Sequence, residues 1–249
     1  MKVIADRAYN QQGIFRFNFW VKNQWVSVNV DERVPVKEWG WDWIPWATNP
    51  SKQGAWWMPL LEKAYAKLNQ NYDRIIAGSV DEGLRSLTGM PVVAIYHQYT
   101  DYSSNQLLKI YKHFAKKNYP STAGCCKGYG AYGLASGHAY SFLDIAELKD
   151  SYGNVAHTIV KMRNPWAKEN YNGPWSDKDG RWTDEWASQV NLTKGDDGVF
   201  WMRFSDFITQ FTSVGTAIYE DGDSSFIHEM HHLNAAQRSY SYSLRNPVS

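Results

Sequence analysis

Apolar and polar positions alternate between residues 15 and 30: Phe15, Phe17, Phe19 and Val21 stand against polar neighbours, and after Lys22-Asn23-Gln24 the alternation resumes at Val26, Val28 and Val30. A period of two broken by a short polar run predicts a hairpin with one buried face. The period then lengthens. Trp57, Leu60, Leu61, Ala64, Tyr65 and Leu68 recur at helical spacing, so residues 56–69 predict an amphipathic helix that stops at Asn69–Asn71. Ser103 and Gln106 have the spacing of a capping box, which predicts a second helix with the apolar stripe Leu107, Leu108, Tyr111 and Phe114. Thr88-Gly89-Met90-Pro91 marks a shift from helical character to strand-rich sequence.

A later hairpin brings together two side chains with chemistry to offer. Ala139-Tyr140-Ser141-Phe142-Leu143 and the stretch from Val155 to Met162 flank a turn-like Asp150-Ser151-Tyr152-Gly153-Asn154. Folded symmetrically about Ser151, the strands set His138 opposite Asn164, Tyr140 opposite Met162 and Phe142 opposite Val160. Directly opposed residues share a face and lie within hydrogen-bonding reach. An imidazole that takes a thiol proton, held in one tautomer by an Asn amide oxygen, is two thirds of a thiol-hydrolase site. Trp166, directly after the Asn164-Pro165 step, is placed to shield that hydrogen bond from water.

Seven blocks in one order carry a resemblance across roughly residues 13–219. They are the run from Gly13 to Trp20, Trp25-Val26 leading to Val30-Asp31-Glu32-Arg33-Val34-Pro35, Leu60 to Lys67, Gly137-His138-Ala139-Tyr140, Arg163-Asn164-Pro165-Trp166, Asn172 to Asp177, and Asp197 to Met202 followed by Phe204, Asp206 and Phe207. In these the chain resembles the calpain family of papain-like cysteine proteases. The resemblance implies an α+β papain-like core, in which residues 1–90 are the remainder of a helical subdomain, 91–219 a strand-rich antiparallel subdomain carrying His138 and Asn164, and 220–249 a polar tail. It implies a cysteine endopeptidase mechanism with His138 as base and Asn164 as its orienting partner.

The same resemblance places the nucleophilic cysteine, and the Gln that shares its oxyanion hole, upstream of the block that Gly13 begins. Cys125 and Cys126, the two thiols in the sequence, lie just before His138 and do not fit that order. They read as packing residues, and adjacent cysteines rarely bridge. Two expectations follow. The chain is the acid/base portion of a calpain-type endopeptidase whose thiol comes from elsewhere, inactive alone, or it is a catalytically silent module serving a larger assembly. Its partners are then a protein or peptide substrate, or the subunits of that assembly.

The family also binds calcium within its core. The matching loop here retains Asp177 and Asp197, with Gly195 available for a backbone carbonyl, but Asn170 and Val199 stand at two carboxylate positions and Ala55 at an acidic position of another site. Calcium wants six to eight oxygen ligands. The expectation is a degraded loop with weak binding or none, and no required cofactor. His228-Glu229-Met230-His231-His232 fits the zinc-protease His-Glu-x-x-His pattern, but no third ligand follows His232, so adventitious metal binding is the reading.

Composition narrows the partners. A net charge of +1 leaves no basic stripe for nucleic acid, and the Lys109, Lys112, Lys116 and Lys117 group reads as the solvated face of a helix. No apolar run has signal-peptide or membrane-spanning length, and two cysteines make no disulfide framework, which together predict a cytoplasmic or other intracellular protein with no membrane partner. Glu38-Trp39-Gly40-Trp41-Asp42-Trp43-Ile44-Pro45-Trp46 stands apart. If extended, it would line Trp39, Trp41 and Trp43 along one face, for sugars, an apolar peptide or a neighbouring subunit, or the rings fold back onto the core.

Overall fold

A computed structural model describes residues 3–5, 11–51, 54–126 and 130–219. The first hairpin forms as the alternation predicts: β1 (Ile14–Val21) pairs antiparallel with β2 (Gln24–Asp31), with Phe17 facing Val28 and Phe19 facing Val26. Lys22 and Asn23 both take positive φ, the conformation that lets a two-residue turn follow the strands' twist. A second ribbon, β3 (Val36–Trp39) with β4 (Asp42–Pro45), follows. Helix α1 (Trp57–Leu68) tolerates Pro59 because the proline sits in its first turn, where the backbone N–H has no helical partner. Asn69 closes it, its side-chain amide donating to the Tyr65 carbonyl at 2.9 Å. Leu60 and Ala64 of α1 bury against Phe17, Phe19, Val28 and Val30 of the first hairpin.

Helix α2 (Val80–Thr88) touches both β1 and the large sheet, and ends at Gly89, whose left-handed conformation returns its N–H to Arg85. The sheet is built from β5 (Val92–Tyr96), β6 (Ser121–Cys125), β7 (His138–Lys149), β8 (Val155–Arg163), β9 (Val199–Arg203) and β10 (Phe211–Ala217), ordered β5-β10-β6-β7-β8-β9 with every pairing antiparallel. Helix α3 (Ser104–Lys116) carries the predicted capping box between Ser103 and Gln106, and buries Leu107, Tyr111 and Phe114. It covers one face with α5 (Phe204–Gln210), around an aromatic cluster of Tyr111, Phe142, Phe204 and Phe207. Trp175, Leu148, Ile159 and Trp201 form a smaller core beside α4 (Asp184–Gln189). Among the described residues no helix is long and apolar enough to cross a membrane. Residues 220–249, with the predicted tail and the His228–His232 motif, lie outside the described residues.

Two expectations are corrected. The hairpin of β7 and β8 pairs Ser141 with Arg163 and Phe142 with Met162, two residues away from the predicted register, and Leu143 bulges between Phe142 and Asp144. The Asp150 turn forms, its carboxylate accepting the N–H groups of Tyr152 and Asn154, but it is centred on Tyr152 rather than Ser151, which moves the pairing by two residues, while the bulges at Leu143 on β7 and Ala156 on β8 cancel. The Trp-rich stretch is not one extended strand. It turns at Gly40 and Trp41, so that Trp39 faces Asp42 and Trp43 faces Glu38, and Trp39 and Trp43 fall on opposite faces.

Candidate active site

His138 opens β7 where the chain leaves a loop through Gly137, whose φ of 62° suits a residue without a Cβ. Two bonds fix that loop: the Ala135 N–H donates to the Tyr140 hydroxyl at 2.9 Å, and the Ser136 hydroxyl donates to the Cys126 carbonyl at 3.3 Å. Tyr140 is itself buried against Phe200 and Phe211, and its ring stands nearly perpendicular to that of His138 with centroids 4.9 Å apart.

Asn164 follows the last residue of β8 and is 1% exposed. Its backbone N–H donates to the Gly198 carbonyl at 2.8 Å, and its side-chain N–H donates to the Lys168 carbonyl at 3.2 Å. That second bond decides the amide's orientation, leaving Oδ1 turned to His138 Nε2 at 3.0 Å. Oδ1 has no proton to give, so Nε2 carries the hydrogen and Nδ1 is left as the basic nitrogen. Oδ1 also accepts the Trp166 backbone N–H at 3.1 Å. The Trp166 ring lies over the imidazole, centroids 4.1 Å apart and planes inclined by 32°, with its outer side open to solvent.

The register explains how the pair meets. Arg163 faces Ser141, so Asn164 continues opposite Tyr140, and His138 is its diagonal neighbour. A shift of two residues preserves the face, and a diagonal neighbour stays within reach of a ring. The opposition expected between His138 and Asn164 thus becomes a diagonal contact across the same face. The residue directly across from His138 is instead Cys125, on β6. Sequence order gave no hint of this, since the contact depends on how β6 docks. Cys125 and Cys126 are both buried, their sulfurs side by side.

The predicted calcium loop assembles only in part. Asp177 is buried, and its Oδ2 accepts the Gly195 N–H at 2.7 Å. Asp197 accepts the Val199 N–H at 2.8 Å. Glu169, which the sequence reading missed, accepts the Asp177 N–H at 3.0 Å, while its own N–H donates to Asp196 at 2.9 Å. Burial pushes the Asp177 carboxyl above its ordinary value against the Gly195 bond, and the Asp197 charge adds to the rise. Glu169 is raised chiefly by burial as well. Asp177 Oδ1 is buried with no hydrogen-bond partner, a single oxygen free for a cation. One oxygen of each of the other carboxylates, Glu169 Oε1, Asp196 Oδ1 and Asp197 Oδ1, is turned onto a backbone N–H, and among the described residues no three acidic, His or Cys side chains converge on a metal position.

What the loop does hold is Asn164. Gly198, at φ 86°, lies so close that a Cβ there would stand 2.7 Å from the Asn164 carbonyl oxygen and 3.0 Å from Ala167 Cα. The signal was present as a glycine after two aspartates, a turn-forming run. A cavity of about 880 Å³ lined by Tyr132, Glu169, Asn172 and Arg181 includes neither His138 nor Asn164.

A six-stranded antiparallel sheet with helices packed on it, bearing an imidazole clamped by a buried carboxamide at one end, is the architecture of the strand-rich half of a papain-like protease core. The chain belongs to the calpain family of cysteine proteases: residues 1–217 match the family described as calpain family cysteine protease. It is 34% identical over 223 residues to the calpain-type cysteine protease ADL1 of Oryza sativa subsp. japonica, covering 86% of this chain and 10% of that protein. It is 33% identical over 219 residues to Calpain-A of Drosophila melanogaster, covering 82% and 25%. The Calpain-2 catalytic subunit of Mus musculus is 33% identical over 216 residues, covering 82% and 29%. The chain therefore spans less than a third of the length of these relatives.

Proposed function

We propose that this chain supplies the base and its orienting amide to a calpain-type cysteine endopeptidase, with the nucleophilic thiol contributed by sequence outside the 249 residues. The observation that carries the reading is the 3.0 Å contact from His138 Nε2 to an Asn164 oxygen whose orientation Lys168 and Trp166 both fix. It leaves His138 Nδ1 free to take a thiol proton and form the thiolate–imidazolium pair. The thiolate attacks a peptide carbonyl, and imidazolium returns its proton to the leaving amine. Water then cleaves the thioester, with His138 again accepting a proton. Trp166 covers one side of the imidazole and Tyr140 stands against it nearly perpendicular, so the ring has little freedom to leave its plane.

The test is complementation. The 249-residue chain is assayed on casein alone and with a recombinant segment from the Calpain-2 catalytic subunit that carries its nucleophilic cysteine. Turnover is expected only in combination. It should fall by about 10²–10⁴ in His138→Ala, by roughly 10² in Asn164→Ala through misplacement of the ring, and remain in Cys125→Ser/Cys126→Ser. Turnover by the chain alone that survives the cysteine substitutions yet dies with His138→Ala would overturn the assignment of the nucleophile. No turnover in combination, with the segment bound, would leave the catalytically silent module instead.

A further inference from the structure

The ribbon of β3 and β4 carries a distribution of indoles that neither the fold nor the proposed chemistry uses. Trp39 lies on one face with Lys37 and Ile44, Trp43 on the other with Val36 and Pro45, and Trp41 caps the turn. Trp39 is 70% exposed, Trp43 65%, Trp46 59%, and Trp41 is fully exposed. Each of the two strands makes its main contacts with the other, and among the described residues no other element packs extensively on the ribbon.

We propose that this ribbon is a membrane-surface anchor that inserts its indoles into the headgroup layer of a zwitterionic, phosphatidylcholine-type bilayer. The geometry selects the occupant. A folded partner or a sugar presents one surface and covers one face of a ribbon, leaving the rings of the other face and the tip in water. A lipid interface closes around a protruding tip and desolvates both faces at once. Tryptophan suits that layer because its ring is apolar and its N–H remains able to bond to headgroups or water.

Charge selects the headgroup. Lys37 is outnumbered by Glu38 and Asp42 on the ribbon, so an anionic surface gains nothing from it. Asp42, next to the tip, limits insertion to the boundary between headgroups and acyl chains. Lys37 sits with its ammonium 5.6 Å from the Trp46 ring centre, at the end of the ribbon away from the turn, where a long side chain keeps its charge in water. The absence of a spanning helix among the described residues bears on crossing a bilayer and not on lying against one. The sequence-based expectation of no membrane partner rested on the lack of an apolar run of spanning or signal-peptide length, which likewise bears on crossing a bilayer.

The experiment sediments the 249-residue chain with sucrose-loaded phosphatidylcholine vesicles, and compares wild type with Trp39→Ala/Trp41→Ala/Trp43→Ala. The three rings are exposed, and circular dichroism verifies that the variant keeps its fold. Wild type should pellet with vesicles, be quenched by lipids brominated near the headgroup end of the acyl chain, and resist release by salt. The triple variant should partition at least about tenfold more weakly. Wild type that stays in the supernatant, a variant that pellets equally, or release of wild type by salt would each overturn the proposal. So would a wild-type oligomer that the variant dissolves and vesicles do not compete with, which would make the ribbon a contact between copies. Preferential binding to a soluble oligosaccharide or peptide would overturn it too. No nucleophile enters the assay, so its failure leaves the peptidase reading untouched.

Discussion

Replacing Gly198 by alanine tests whether the loop after α4 sets the position of Asn164. The added methyl carbon would stand 2.7 Å from the Asn164 carbonyl oxygen, 3.0 Å from Ala167 Cα and 3.1 Å from Lys168 N. All three are backbone atoms, so no flexible side chain can swing aside. The left-handed φ of 86° adds about 1–2 kcal/mol for any residue with a Cβ, overpacking adds about 1–3 kcal/mol, and relief by displacement sacrifices the Asn164 N–H bond to Gly198, worth about 1 kcal/mol. The expected destabilisation is about 3–6 kcal/mol, on the order of 10 °C in Tm for a chain of this size. Gly195→Ala is the internal control: its Cβ would meet nothing within 4 Å, and the N–H bonded to Asp177 is retained. It should stay within about 0.5 kcal/mol of wild type. Urea unfolding measures both variants. The His138 Nε2–H resonance, slowed in exchange by Asn164, reports the site directly and should broaden or vanish in Gly198→Ala alone. A Gly198→Ala protein as stable as Gly195→Ala, with that resonance intact, would refute the reasoning.

Two further predictions concern ionisation. His97 is held between the Phe211 carbonyl, at 2.7 Å from Nδ1, and the Tyr111 hydroxyl, at 2.6 Å from Nε2, and burial lowers its pKa below 6.5 despite the Phe211 bond. The unfolded chain therefore binds the proton more readily, so this contribution to stability is complete above 6.5 and is lost as pH falls towards the folded value. Urea midpoints should drop across that window in wild type and less in His97→Gln; equal slopes would sink the assignment. Asp177 has the opposite sign for a carboxylate: its folded pKa lies above 3.8, so its contribution is present below that value and is lost as pH rises through the folded one. Asp177→Asn, which keeps an acceptor for the Gly195 N–H, should be more stable than wild type at neutral pH. Millimolar calcium should move the melting temperature of neither protein; a calcium shift in wild type that Asp177→Asn abolishes would show that the loop holds the ion after all.

Local pattern alone determined a good deal. The alternation from Phe15 to Val30, the spacing from Trp57 to Leu68 and the Ser103–Gln106 box each specify an element because their stabilising contacts lie within a few residues or across one turn. The ordered motifs around His138 and Asn164 were equally legible, and the face they share survived because the register moved by an even number of residues. Tertiary structure decided what pattern could not. The centring of the turn on Tyr152, with the Leu143 and Ala156 bulges cancelling, set the diagonal contact, and the docking of β6 brought Cys125 beside His138. The close approach of Gly198 seated Asn164, and the turn at Gly40 sent Trp39 and Trp43 to opposite faces. Each depends on backbone atoms meeting across strands or loops that are distant in sequence or reversed by a turn. Side-chain periodicity records which face is buried, and carries no information about what that face will touch.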